Sequence, residues 1–137
     1  MLHCAILGDS LAQGVAILRP DCLSDTKVGI SSASYVSGHI VSVTAQTALL
    51  SLGVNDGPPT VETVKHLLKL REGISAQHVY WMLPARPAEI RGLIQVIARM
   101  HYDTVIETRG STGPDGLHLT GPAYRHVAGV FEVSGVR

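Results

Sequence analysis

The stretch Ile6–Gly14 reads ILGDSLAQG. An apolar run that begins at Leu2 stops at Gly8, polar Asp9 and Ser10 follow, and Leu11, Val15 and Leu18 then recur at helical spacing up to Pro20. A strand passing through a glycine turn into a short helix fits this pattern. Ser10 has two possible uses at such a turn. Asp and Ser both favour helix N-termini, because their side-chain oxygens accept hydrogen bonds from free backbone N–H groups, so Ser10 can be a cap. It can equally be a nucleophile, and the tripeptide alone does not decide.

The same punctuation recurs outward from this stretch. Short apolar runs at Leu2–Leu7, Thr26–Ile30, Ala48–Leu52, His78–Leu83 and Thr104–Glu107 read as strands, and their lack of strict alternation suits a parallel sheet covered on both faces. Between them lie helical patterns. Thr60 caps a segment with Val61, Val64, Leu67 and Leu68 on one side, while Pro87 precedes Ile90, Leu93, Ile94 and Ile97 at the i, i+3, i+4, i+7 spacing. Ser34–His39 forms a brief helical turn, and Thr120 caps a last helix through about Val130 with Pro122 in its first turn. The alternation predicts a three-layer α/β/α, flavodoxin-like domain with a central parallel sheet of about five strands.

Length and composition agree with a single domain spanning residues 1–137. At 45% hydrophobic and 16% charged, the chain has the material for a core and not the composition of a disordered segment. Eleven basic residues balance eleven acidic ones, so no global field attracts nucleic acid or an anionic membrane. Near-neutral charge together with apolar composition makes a homo-oligomer or an assembly partner plausible. The first residues lack the pattern of a secretory signal, and no apolar run reaches the roughly 20 residues that span a bilayer. Cytoplasmic localisation is the default expectation.

In open α/β sheets, ligands bind beyond the carboxyl ends of the strands. The loops that leave the predicted strands there carry Gly8-Asp9-Ser10-Leu11, Gly29-Ile30-Ser31-Ser32, Gly53-Val54-Asn55-Asp56 and Asp115-Gly116-Leu117-His118. In that order, the first, third and fourth of these segments resemble the motif blocks of the SGNH hydrolase superfamily, the GDSL esterases and lipases, the Gly29 segment being a short and loosely defined second block, and the resemblance spans nearly the whole chain. The sequence is shorter than typical members, which brings to mind minimal versions of bacterial or phage type.

The resemblance implies a set of roles that chemistry can test. Ser10 would be the nucleophile and His118 its general base, since a serine hydroxyl needs an adjacent base at neutral pH. Asp115, three residues earlier, would fix the imidazole tautomer and stabilise the imidazolium. The oxyanion donors would be the backbone N–H groups of Ser10 and Gly29 and the side-chain amide of Asn55. Asp9 reads better as a structural carboxylate bonding loop N–H groups than as a second acid. Each motif also has a plain alternative: a cap at Ser10, a turn at Asp115-Gly116, and a loop at Asn55-Asp56-Gly57.

The expected reaction is hydrolysis of a short-chain acyl ester, acetyl above all and of a carbohydrate or other small molecule, through an acyl-serine with no cofactor and no metal. The alternative is a structural or binding component of a virion or envelope-acting assembly that keeps the hydrolase scaffold, with the apolar stretch Val127–Val136 as its contact surface. Virion association would then replace the cytoplasm. The other six histidines, His3, His39, His66, His78, His101 and His126, show no ligand spacing and are assigned no chemistry. Arg86 and Trp81, near the end of the fourth strand, read as structural. Cys4 and Cys22 are expected as reduced thiols on the compartment argument, a bridge being sterically open only if their segments are neighbours.

Overall fold

Apolar side chains alternate between the two faces of each central strand. In the computed structural model, which describes residues 2–131, Ile6 and Leu7 of β1 (Leu2–Gly8) enter different cores. Leu49 of β3 (Val43–Ser51) opposes Ala48 and Leu50, and Met82 of β4 (Ile74–Leu83) opposes Trp81 and Leu83. With β2 (Leu23–Thr26) and β5 (Thr104–Glu107), the sheet runs β2-β1-β3-β4-β5 with every neighbouring pair parallel. This is the flavodoxin-like strand order.

Helices α1 (Ser10–Ala16) and α5 (Gly121–Phe131) pack Leu11, Val15, Val127 and Phe131 over the Ile6–Leu49–Met82 face. On the other face, α2 (Ser32–Gly38), α3 (Val61–Glu72) and α4 (Ala88–Met100) contribute Tyr35, Leu67, Leu70, Ile90, Ile94 and Ile97. The result is the three-layer α/β/α fold. The spacing in α4 translates directly into burial: Ile90, Ile94 and Ile97 are fully enclosed.

Several local expectations shift. The second strand is Leu23–Thr26 rather than Thr26–Ile30, because the pairing partners of Ala5–Gly8 are Leu23–Thr26. Beyond Thr26 the chain turns, with Ile30 N–H donating to the Lys27 carbonyl and Gly29 at φ +77°. Helix α1 ends at Ala16, so Leu18 is 39% exposed instead of packed. In α3 the first-turn Val61 faces solvent, and Leu70 joins Leu67 in the core. Val127, Ala128 and Phe131 are buried against the chain's own sheet, which removes them from the expected contact surface; residues 132–136 of that stretch lie outside the described residues. Among the described residues, no helix is long and apolar enough to cross a membrane.

The cysteines are paired, against the expectation of free thiols. Ala5 and Leu23 are register partners, so Cys4 and Cys22, one residue before each, meet across β1 and the approach to β2 in a disulfide with a Cα–Cα distance of 4.8 Å. Strand adjacency, which the sequence does not display, is the physical reason. Beside the bridge, Arg19 pairs with Asp21, donates to the Ala128 carbonyl of α5 and lies over the Phe131 ring. His3, Cys4 and Asp21 bring potential ligand atoms within 4.8 Å of one another, but the Cys4 sulfur is held in the disulfide.

Candidate functional site

The strand ends place the four loops. Gly8 is level with both Thr26 of β2 and Ser51 of β3, so the chain leaves three adjacent strands at one height on the sheet's carboxyl edge. Gly8 has φ +137°, and a Cβ there would lie 1.8 Å from the Ser51 carbonyl oxygen. Only glycine allows this approach. It lets Asp9 N–H donate to that same carbonyl at 2.9 Å and turns the chain into α1.

The cap of α1 is Asp9 and not Ser10, the Asp9 carboxylate accepting from Leu11 N–H at 3.1 Å and from the Ser51 hydroxyl at 2.7 Å. It is the structural carboxylate expected from the sequence. Fully buried, it has its pKa pushed up to about 6 by desolvation, against the opposing effect of those hydrogen bonds. Ser10, the first residue of the helix, is released from capping. Its Oγ lies 2.8 Å from His118 Nε2.

The loop before α5 brings the other two groups. Asp115 Oδ1 accepts from the backbone N–H groups of Leu117 and His118, both at 2.9 Å, while Oδ2 lies 2.6 Å from His118 Nδ1. Thr120 closes the loop as expected, accepting from Ala123 N–H at 3.3 Å. The His118 contact, followed by the two backbone donors, holds the Asp115 carboxyl down at about 2. An ionised carboxylate only accepts, so Nδ1 carries the proton and donates. In the neutral imidazole, Nε2 is then left to accept from the Ser10 hydroxyl. Such a chain can take the proton from a serine hydroxyl and stabilise the resulting imidazolium. The His118 and Asp115 side chains are 46% and 51% exposed, so the arrangement opens to solvent.

Asn55 and the Gly29 turn are joined to each other on the flanking loops. Asn55 Nδ2 donates to the Ile30 carbonyl at 3.1 Å, which leaves its second amide hydrogen free of that bond. Asp56 grips the same turn: Oδ1 accepts from Ser32 N–H at 2.7 Å, and Oδ2 accepts from the Ser32 hydroxyl. His66 Nδ1 lies 3.2 Å from that hydroxyl oxygen. The structure thus brings Ser10, His118 and Asp115 into one hydrogen-bonded chain, and Asn55 with the Gly29 turn into a second cluster, from the loops after β3 and β2 on either side of β1.

Sequence reasoning assigned nothing to Ser32 and His66. The only signal was the serine following the second glycine block, since His66 gains its partner through α3 packing beside α2. Arg86, read as structural, donates to the Asp115 carbonyl at 3.2 Å and so braces the histidine loop. Trp81 is wholly buried, with its indole N–H donating to Asp103, which also takes a bidentate pair from Arg71.

No known family model and no curated protein matches the chain in sequence. Solved structures do resemble it in fold. One, a "putative acylhydrolase" from Bacteroides fragilis, superposes with a TM-score of 0.67 at 15% identity, covering 94% of this chain and 84% of its own. Another, the C-terminal catalytic domain of peptidoglycan O-acetyltransferase A from Streptococcus pneumoniae with a methylsulfonyl adduct, gives 0.51 at 12% identity, covering 95% and 88%. At these identities the likeness establishes the α/β/α fold.

Proposed function

We propose that the chain is a serine ester hydrolase that works through an acyl-serine intermediate. The observation that carries this reading is the chain of contacts from Ser10 through His118 to Asp115, made at 2.8 and 2.6 Å between residues 108 and three positions apart. The names of the two solved structures of similar fold, an acylhydrolase and an acetyltransferase, support the same class of chemistry.

In this mechanism Ser10 Oγ attacks the ester carbonyl as His118 Nε2 takes its proton, and Asp115 stabilises the imidazolium. The Ser10 N–H, the Gly29 N–H and the remaining Asn55 amide hydrogen receive the oxyanion. His118 then protonates the departing alcohol, and a water molecule activated by the same imidazole releases the acid. The half-exposed His118 and Asp115 leave the site accessible to water, which favours hydrolysis over transfer to a second alcohol. A site this open favours short acyl groups such as acetyl. The disulfide suits an oxidising compartment better than the cytoplasm.

Turnover of p-nitrophenyl acetate tests the proposal. Wild type should hydrolyse it, and the activity should be lost in Ser10→Ala and in His118→Ala. Equal rates in wild type and Ser10→Ala would refute it.

A further inference from the structure

The amino end of β1 runs on past the start of its neighbour. β2 begins opposite Ala5, and the chain approaches it through a turn at residues 19–22, closed by Cys22 N–H donating to the Arg19 carbonyl at 3.1 Å. Pro20 stands second in this turn, where its fixed φ belongs. The turn bonds Cys22 to Cys4 and brings Asp21 Oδ2 to 3.4 Å from His3 Nε2 and 3.8 Å from the Cys4 sulfur. An imidazole, a carboxylate and two sulfurs thus meet at one corner, but bonded to each other the sulfurs offer no thiolate. We propose that reduction of the Cys4–Cys22 bridge turns this corner into a four-ligand zinc site made of His3, Cys4, Asp21 and Cys22. It lies about 13 Å along β1 from Gly8, apart from the Ser10 contacts.

A dithiol supplies the two electrons. One of its thiolates attacks the sulfur of Cys22, the less enclosed of the two residues, and the Cys4 sulfur leaves. The second thiolate of the reductant then displaces the Cys22 sulfur, so the reductant departs as a cyclic disulfide and two protein thiols remain. When zinc binds, each thiol gives its proton to solvent and the ion takes the thiolates. With zinc–nitrogen and zinc–oxygen distances of about 2.0–2.1 Å and zinc–sulfur of about 2.3 Å, neighbouring ligands of a tetrahedral ion stand about 3.3–3.8 Å apart. The His3–Asp21 and Cys4–Asp21 separations already fit this spacing, and His3, Cys4 and Asp21 keep their ligand atoms within 4.8 Å of one another. The sulfurs have to part from about 2 Å to about 3.8 Å, a shift that rotation about the two Cα–Cβ bonds supplies.

Ligand type and charge select the metal. Two thiolates and an imidazole suit zinc, whereas magnesium and calcium take shells of oxygen. Two thiolates and a carboxylate around a divalent ion leave one negative charge, and the Arg19 guanidinium beside them balances it. Its Nε donates to Asp21 Oδ1 at 3.0 Å and its Nη2 to Oδ2 at 2.8 Å, while Nη2 also lies 3.9 Å from the Cys4 sulfur. With Oδ2 given to the metal, the bond to Oδ1 remains and orients the ligating carboxylate. Cys4 and Cys22 are buried, and the side chains of His3 and Asp21 are 36% and 47% exposed, so the ion enters from solvent between the latter two. Four protein ligands close the shell, the pattern of a structural zinc.

Zinc titration of the whole chain in its two redox states tests the site. Protein reduced with a phosphine, and freed of it under nitrogen, is titrated with zinc ion against a chromogenic chelator beside oxidised protein. The reduced form should take up one equivalent and melt at a higher temperature with the metal than without it, and the oxidised form should do neither. Cobalt ion in place of zinc should give thiolate-to-metal charge-transfer absorption and the intense d–d bands of a tetrahedral ion. His3→Ala and Asp21→Asn, both at partly exposed positions, should each weaken binding by about tenfold or more. Asparagine keeps an acceptor for Arg19, so the loss in that variant reports the carboxylate ligand. No uptake by reduced protein, equal uptake in both redox states, or binding as tight as wild type in either variant overturns the site. If reduction unfolds the chain, one equivalent of zinc should restore its circular dichroism, and a reduced chain that stays unfolded with zinc refutes the proposal.

Discussion

Two clusters of serine, histidine and aspartate stand on neighbouring loops of this sheet, and they differ in the order of their hydrogen bonds. At the first, Asp115 bonds His118 and His118 bonds Ser10, so the serine proton faces an imidazole acceptor. At the second, Asp56 and His66 both bond Ser32 directly, and the hydroxyl proton is committed to a carboxylate. Burial differs as sharply. Ser32 is completely enclosed, whereas His118 and Asp115 are about half exposed. Identical residue types thus leave one hydroxyl facing an imidazole acceptor, as the proposed mechanism requires, and commit the other to a carboxylate as a structural clamp.

Alanine at each serine separates these uses. Ser10→Ala should cost about 10⁴-fold or more in p-nitrophenyl acetate turnover, with the thermal midpoint little changed. Ser32→Ala should retain most of the turnover but lose about 1–3 kcal/mol of stability, because Asp56 and His66 are left without their shared partner. Parallel activity assays and urea titrations check both. Comparable activity losses in the two variants would erase the distinction.

Asn55 stands in the second cluster, its amide held to the Ile30 carbonyl while Asp56 holds Ser32, and in the proposed mechanism its remaining amide hydrogen serves the first. Asn55→Ala should lower kcat about 10²-fold to 10³-fold with a smaller change in KM, the pattern for a donor used mainly in the transition state. A rise in KM alone would instead make Asn55 a ground-state contact.

The first cluster was legible in the sequence, and the second was not. Gly8-Asp9-Ser10 and Asp115-Gly116-Leu117-His118 carry their local geometry with them: glycine for the turn, Asp9 for the cap, and Asp115 within reach of His118 in one short loop. The sheet and helices were legible for a similar reason, since apolar runs and the 3.6-residue period are local signals. Ser32 and His66 are 34 residues apart and meet only because the N-terminus of α2 approaches α3, which no periodicity records. Strand register hid the Cys4–Cys22 bridge in the same way. The misplaced second strand has a local cause: Val28 and Ile30 look like strand residues, yet Gly29 between them takes a left-handed turn.

Asp9 carries the comparison to a single carboxylate beside Ser10. Asp115, exposed and hydrogen-bonded, is held at about 2, whereas buried Asp9 is pushed to about 6. The two act on stability with opposite sign. A depressed carboxylate contributes stability above its ordinary range, near 4, and that contribution is lost as pH falls toward 2. A raised one does the reverse: folded protein binds the proton first, so stability rises as pH falls from about 6 to about 4, and the gain from Asp9 is at most on the order of 3 kcal/mol. Asp9→Asn removes that group while keeping an acceptor for Leu11 N–H and Ser51. Urea unfolding of wild type and Asp9→Asn at pH 7.5 and 4.5 should therefore show wild type gaining relative to the variant at the lower pH, while Asp115 stays ionised at both. A wild-type-minus-variant difference that is the same at both pH values would mean that Asp9 titrates like an exposed carboxylate, and that its burial beside Ser10 sets no electrostatic penalty.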